Sequence, residues 1–295
     1  MAISSPPRSA YAAWIAVCIL WGTTYLAIAM AIDTIPPLLM TASRWILGGA
    51  LLTLFLWWRG ETIPPPRDWP ALTLLGVLFM GFGNGGVVWA EQFLPSGLTS
   101  VLVAAIPFWM VGVERFMPKS EPLTPFRVAG LVVGFCGIVL LLWPELRFGG
   151  GYGFGMGVAA TQIACLGWAI GSSYSRRRHA SESVMASAGL QMLFAGLVIL
   201  AVALLRGEWN PGFMGTSRAS LWAVVYLVGV GSFIGFPAYV YALKHLPVAT
   251  VSTYAYVNPV IAVLLGWLVR GEPFSARIVA AGAVVLTGMA MVRKS

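Results

Sequence analysis

Charge is scarce in this chain. Only 9% of its 295 residues are Asp, Glu, Lys or Arg, against about 25% in a soluble globular domain. No Asp or Glu falls in the middle of an apolar run. Asp33, Glu61, Asp68, Glu91, Glu114, Glu121, Glu145, Glu182, Glu208 and Glu272 all lie in loops or at run ends, as do His179 and His245. Proton- or sodium-driven carriers usually bind the ion on an intramembrane carboxylate or histidine. In a chain whose apolar runs cross a membrane and carry a solute, that absence would argue for facilitated diffusion, or for coupling through a group at a run end. Glu91, beside Trp89 and Gln92, is the best placed such group; a solvated cap before Leu94-Pro95 is its plainer role. Cysteine is rare as well. Cys18, Cys136 and Cys165 sit inside apolar runs, with neither metal-ligand spacing nor a disulfide framework, and read as small packing residues.

Enzyme signatures are missing too. There is no Gly-x-Ser-x-Gly, no His-Glu-x-x-His and no Walker loop. No catalytic residue, metal or cofactor is expected, and an ATP-driven pump on a single chain is excluded. Gly81-x-Gly83-x-x-Gly86 matches the dinucleotide fingerprint by letter, but it lies inside an apolar run with no strand before it.

What the chain has in abundance is apolar length: 59% of its residues are hydrophobic. Ten runs are long enough for membrane helices: 11–32, 38–58, 69–90, 95–114, 126–143, 154–175, 183–205, 219–242, 247–269 and 275–292. The fifth and tenth are short and rely on Arg127, Arg277 and Arg293 reaching outward. The first run has its own repeat partner and no A-x-A site behind it, so it is read as a span rather than a cleaved signal. The loops are short and leave no room for a soluble domain. With the N-terminus cytoplasmic, twelve Lys and Arg lie inside and five outside. This bias places both termini in the cytoplasm of a cell (inner) membrane protein. It also explains the net charge of +8 without a nucleic-acid partner, and makes Arg176–Arg178 a topology anchor.

The second half repeats the first. Cys18-x-x-Trp21 and Arg59-Gly60-Glu61 recur as Cys165-x-x-Trp168 and Arg206-Gly207-Glu208, both at an offset of 147. Leu94-Pro95, Ser100 and Pro107 recur as Leu246-Pro247, Ser252 and Pro259 at 152, and Glu121-Pro122 recurs as Glu272-Pro273 at 151. The expected architecture is therefore an all-α polytopic membrane protein of ten transmembrane helices. Residues 11–143 form one five-helix repeat and 152–292 a second. Five is odd, so the second is inverted, as in many secondary transporters whose site lies near the midplane.

Polar groups inside a membrane need a partner or water. Arg44 is the one charge well inside a run, about 9 Å along its helix from Leu38 at 1.5 Å per residue. It is either an interface-seeking or structural arginine, or a contact to a substrate carboxylate. Its repeat partner is the neutral Gln191. Trp21 and Trp168 hold equivalent mid-span positions, either as packing residues or as two walls of a binding slot. Asn84, Gln162, Tyr239, Tyr256 and Asn258 add amides and hydroxyls. Rings with a few such groups suit an amphipathic small molecule. The cluster Gly81–Gly86, with Gly83 and Gly85, weakens a helix and reads as a flexible or locally unwound stretch. Pro107, Pro237 and Pro259 are candidate bends, Pro107 and Pro259 as a symmetric pair. Gly130/Gly134, Gly167/Gly171 and Gly231/Gly235 have the spacing of close helix contacts.

Trp21-Gly22-Thr23-Thr24, Arg44, the Pro107 span followed by Glu121-Pro122, and the Pro259 span followed by Gly271-Glu272-Pro273 together resemble the drug/metabolite transporter superfamily, in its EamA-type branch. The resemblance runs from about residue 11 to 292. It implies a ten-helix bundle of two inverted repeats around a central cavity, lined mainly by spans one, three, four, six, eight and nine. Its aromatic richness makes the chain similar to bacterial exporters of aromatic amino acids. The small multidrug branch carries a glutamate in its first span, which this chain lacks. The expected function is export of amino acids, aromatic ones among them, or related metabolites by alternating access without a strong coupling ion. The alternatives are a proton-coupled multidrug or other metabolite exporter of the same fold, a pore, and a non-transporting membrane scaffold or lipid-modifying enzyme.

Overall fold

The computed structural model describes residues 7–117, 124–148, 151–178, 183–209, 215–246, 248–251 and 254–294. Among them every regular element is helical. In chain order the main helices are α1 (Arg8–Ile32), α2 (Pro37–Trp58), α3 (Pro66–Ala90), α4 (Ser96–Arg115), α5 (Pro125–Phe148), α6 (Gly151–Arg177), α7 (Val184–Leu205), α8 (Arg218–His245), α9 (Tyr254–Arg270) and α10 (Ala276–Lys294). Seven are long and apolar enough to cross a membrane: α1 to α4 and α6 to α8. The other three carry shorter apolar segments, Val128–Leu140, Val257–Arg270 and Ala276–Gly288. Of the ten spans expected, α5, α9 and α10 thus fall short of full span length by apolar content.

The helices stop where the chemistry says they must. Arg59-Gly60-Glu61 and Arg206-Gly207-Glu208 end α2 and α7 in the same way. Gly60 and Gly207 take φ of 76° and 71°, a region glycine enters at little cost. The Glu61 N–H then bonds the Leu56 carbonyl, and the Glu208 N–H bonds the Ala203 carbonyl, at 2.9 and 3.0 Å. These are paired Schellman turns, and they account for one of the repeated triplets. At the start of α8, Ser217 Oγ accepts from the Ser220 N–H at 3.0 Å, an ordinary N-cap.

Packing pairs repeat-related helices: α2 lies along α7, and α5 along α10. Glycine makes both contacts close. A Cβ on Gly49 would collide with the Leu193 nitrogen, and one on Gly288 with the Gly134 nitrogen. In lipid such small-residue contacts replace the hydrophobic drive as the source of association. α1 packs against α8 and α9.

Polar contacts at the helix ends fall into two groups. In one, Arg270 pairs with Asp33 at 2.8 Å. Glu208 accepts from the Leu38 and Leu39 N–H groups at 2.9 and 3.0 Å. Glu272 accepts from Ser96 N, Ser96 Oγ and Gly97 N at 3.1, 2.7 and 3.0 Å. In the other, Arg177 pairs with Glu114 at 2.6 Å and Arg178 with Asp68 at 2.7 Å. Gly207, next to Glu208, therefore sits at the Pro37 end of α2, while Gly60 follows its Trp58 end. The 22 residues of α2 separate the two ends by about 33 Å at 1.5 Å per residue.

Candidate functional site

Two helices of the bundle are not α-helical throughout. α3 is π-helical over Val77–Asn84 and α8 over Leu227–Gly235. The glycines in Gly81–Gly86 predict a loosened or unwound stretch; the structure instead keeps the helix and widens its turn, so that the Gly85 N–H bonds Met80 O. The matching segment in α8 holds Gly229, Gly231 and Gly235. π-Turns of this kind are concentrated at functional sites.

Each widened segment receives a tryptophan from the other half. A Cβ on Gly83 would lie 2.7 Å from Trp168 Cε3, and a Cβ on Gly235 would lie 2.5 Å from Trp21 Nε1. Only glycine admits the rings so near. Trp21 Nε1 also donates to the Gly231 carbonyl at 3.3 Å. The two indoles meet edge to face with centroids 5.3 Å apart. Tyr254 stands at right angles to Trp21 at 5.3 Å, and Phe79 touches Trp168 at 4.9 Å.

Beside these rings is a cavity of about 60 Å³, lined by Trp21, Thr24, Arg44, Asn84, Trp168 and Asn258 among others. Its walls are α1, α2, α3, α4, α6 and α9. This is room for a few waters, not for a metabolite, and polar contacts tie the two halves at both ends of the bundle.

Arg44 is the one charged group in the lining, and it is 2% exposed. Its Nε donates to Ser232 Oγ at 2.9 Å and its Nη1 to Asn84 Oδ1 at 3.3 Å. Its guanidinium carbon stands 4.4 Å from the Trp45 ring centroid. No carboxylate pairs with it among the described residues. A guanidinium has five N–H donors in a planar fork suited to a carboxylate; the neutral acceptors here engage two of them.

The cavity brings together Trp21, Arg44, Gly83, Asn84, Trp168 and Asn258 of the expected residues. Asn258 is oriented with its amide nitrogen on the Cys18 and Tyr254 carbonyls, at 2.9 and 3.1 Å; that orientation is assigned from the network. Two expected residues stand outside the lining. Tyr239 is fully buried behind the tryptophans. It accepts from Trp168 Nε1 at 3.0 Å and bonds Ser172 Oγ at 2.9 Å. Gln162 faces α4, where its Oε1 accepts from Trp109 Nε1 at 3.0 Å. The side chain of Tyr256 lies outside the described residues. Of the bends, α4 is interrupted at Ala104–Ala105, just before Pro107. Pro237 is the second residue after the π-segment of α8, and Gly85 the first after that of α3. Pro259 lies inside α9, which is helical on both sides of it, in the setting where proline removes a helix hydrogen bond.

Sequence reasoning misses two polar contacts. Ser232 holds Arg44, and its place in the glycine stretch repeating Gly81–Gly86 is the signal that marks it. Glu272 caps α4 from across the bundle. Glu91, weighed above as a coupling group or a solvated cap, is 9% exposed, and neither carboxylate oxygen has a hydrogen-bond partner. At the offset of 152 its repeat partner is Leu243, also buried, which points to an interior position for both.

The EamA-like transporter family profile matches residues 8–143 and 155–294. The uncharacterized inner membrane transporter YedA of Escherichia coli (strain K12) is 36% identical over 268 residues, covering 90% of this chain and 84% of that one. The uncharacterized transporter YoaV of Bacillus subtilis (strain 168) is 24% identical over 279 residues, covering 94% of both. A solved protein crystal structure superposes with a TM-score of 0.71 at 24% identity, over 97% of this chain and 96% of that one; this likeness concerns the fold. With two profile matches along its length and a relative above one-third identity over nine-tenths of it, the chain belongs to the EamA-like transporter family.

Proposed function

We propose that the protein is a secondary transporter that exports amino acids, aromatic ones among them, or related small amphipathic carboxylates across the cell membrane. The observation that carries this reading is Arg44: a buried guanidinium with no carboxylate partner, on the wall of a ring-lined cavity. A buried cation of this kind is costly until an anion meets it. A cargo carboxylate satisfies the fork, and the indole and phenol rings cover the apolar part of the cargo. The same charge disfavours a cationic drug, since the cavity lining holds no acid to offset it.

The proposed scaffold is two inverted five-helix repeats, 11–143 and 152–292, with both termini cytoplasmic and the Asp33 end facing out. What supports inversion is that Gly60 and Gly207, repeat equivalents, lie beyond opposite ends of α2. What supports alternating access is that ion pairs tie the halves at both ends, Asp33–Arg270 at one and Glu114–Arg177 at the other. Cargo passes when one set opens at a time. Gly83, Gly85, Pro107, Pro237 and Pro259 supply the bending.

The test is uptake into liposomes holding purified protein, with phenylalanine, tryptophan, threonine and a quaternary ammonium dye as separate cargoes. Uptake of the amino acids above empty liposomes is expected. Uptake of the dye alone supports the multidrug alternative, and no uptake of any cargo removes transport of these classes.

A further inference from the structure

Glu91 follows α3 directly, at the Asp33 end of the bundle. Its charge reaches Arg44 in the cavity wall, and the proposed function leaves the group unused. It is buried, yet neither oxygen has a hydrogen-bond partner. Buried carboxylates are almost always paired, so a pair of orphaned oxygens asks what state the group is in. None of the charged groups around it pairs with it. Glu272 is held by Ser96 and Gly97, Arg270 by Asp33, and Arg44 by Ser232 and Asn84. Its charge also reaches Tyr25 of α1. Burial first, and then the negative charge of Glu272, hold the Glu91 carboxyl well above the usual carboxylate range, against the opposing pull of Arg270 and Arg44.

We propose that Glu91 is a proton-binding site that links closure of the Asp33 end to proton uptake from the medium on that side. When this end opens, water reaches the carboxyl and the proton leaves to the same medium. When it closes, the carboxylate takes one proton back and is buried neutral. No net proton crosses the membrane; the proton is a ligand of the closed state. The sign follows from linkage. A group whose affinity for the proton is higher in the closed state favours closure at low pH, and this preference is lost as the pH rises through the closed-state value. The inference rests on the outward placement of the Asp33 end proposed above, and its test uses no cargo.

The test is labelling of a Thr24→Cys variant in which Cys18, Cys136 and Cys165 are replaced by alanine, reconstituted in liposomes. Thr24 lines the cavity. A membrane-impermeant thiol reagent is presented at the face where a Trp209→Cys control reacts, between about pH 5 and about pH 9. The same series is run with Glu91→Gln and with Glu91→Asp. Ionisation of the new thiol is common to all three, so it cancels in the ratio to Glu91→Gln. That ratio is expected to rise about five-fold or more for the Glu91 protein across the range. Glu91→Gln mimics the neutral acid and stays weakly labelled throughout, and Glu91→Asp keeps a rise. A flat ratio for the Glu91 protein, or Glu91→Asp behaving as Glu91→Gln, overturns the proposal. Either result leaves the transport reading standing, because that reading is judged by cargo uptake alone.

Discussion

Trp21 and Trp168 meet edge to face at 5.3 Å, inclined by 85°, and each rests its ring on a glycine of the other half. Trp168 covers Gly83 and Trp21 covers Gly235. The two contacts lie in the π-helical segments of α3 and α8, so the repeat is expressed as packing and not only as letters. A methyl group at either glycine collides with a rigid indole. Gly83→Ala and Gly235→Ala are each expected to destabilise the protein by about 1–3 kcal/mol, read as a lower thermal midpoint in detergent. Gly229→Ala is the control, since nothing stands within 4 Å of a Cβ there. Equal midpoints for all three variants contradict the packing account.

Arg44 is expected to set cargo class. Arg44→Gln removes the charge but keeps a polar side chain of moderate length. A charge-assisted hydrogen bond contributes about 1.5–3 kcal/mol, so amino-acid affinity falls about 10- to 100-fold, read from competition in liposome uptake. Arg44→Lys recovers only part of it, because an ammonium lacks the planar fork. Unchanged competition by carboxylate cargo in Arg44→Gln removes the arginine from the site.

Tyr239 has a supporting role. Its hydroxyl accepts from Trp168 Nε1 and bonds Ser172 Oγ. Tyr239→Phe strands the indole N–H in a buried setting, at a cost of about 1–3 kcal/mol. The expected result is a lower thermal midpoint with the cargo preference order intact. A changed preference order places the hydroxyl in direct contact with cargo.

The carboxylates at the Asp33 end differ in worth. Glu272 satisfies three donors at the start of α4, groups a helix N-terminus otherwise leaves unpaired. Glu272→Ala is expected to cost about 1–2 kcal/mol, as loss of a good cap does. Asp33 and Arg270 are half and one-third exposed, and Asp33→Asn is expected to change stability by less than about 1 kcal/mol. Thermal unfolding of the two variants side by side separates them; a larger loss in Asp33→Asn contradicts the assignment.

Much of this was legible before any coordinates. The apolar runs located α1 to α4 and α6 to α8, because lipid requires length and internal hydrogen bonding of every span. Arg59-Gly60-Glu61 and its copy turned out to be two Schellman turns of matching geometry. Trp21, Arg44, Asn84, Trp168 and Asn258 do line one cavity. The rotation of a helix about its axis was not legible, since lipid-facing and buried faces are both apolar. That is why Gln162 was expected in the cavity and is found on Trp109, and why Glu91 stayed open between a coupling group and a solvated cap. The π-turns were invisible for another reason: glycine announces a weakened helix but not which hydrogen bonds replace the usual ones.

The central claim is two equivalent halves turned over with respect to each other. Glu61 and Trp209 are exposed and flank the two repeated turns. Single Glu61→Cys and Trp209→Cys variants, without the three native thiols, are to be labelled with a membrane-impermeant reagent in right-side-out and inside-out vesicles. The Glu61→Cys protein is expected to react only in inside-out vesicles and the Trp209→Cys protein only in right-side-out ones. Reaction of both from the same side contradicts the inversion, and with it the alternating carrier built upon it.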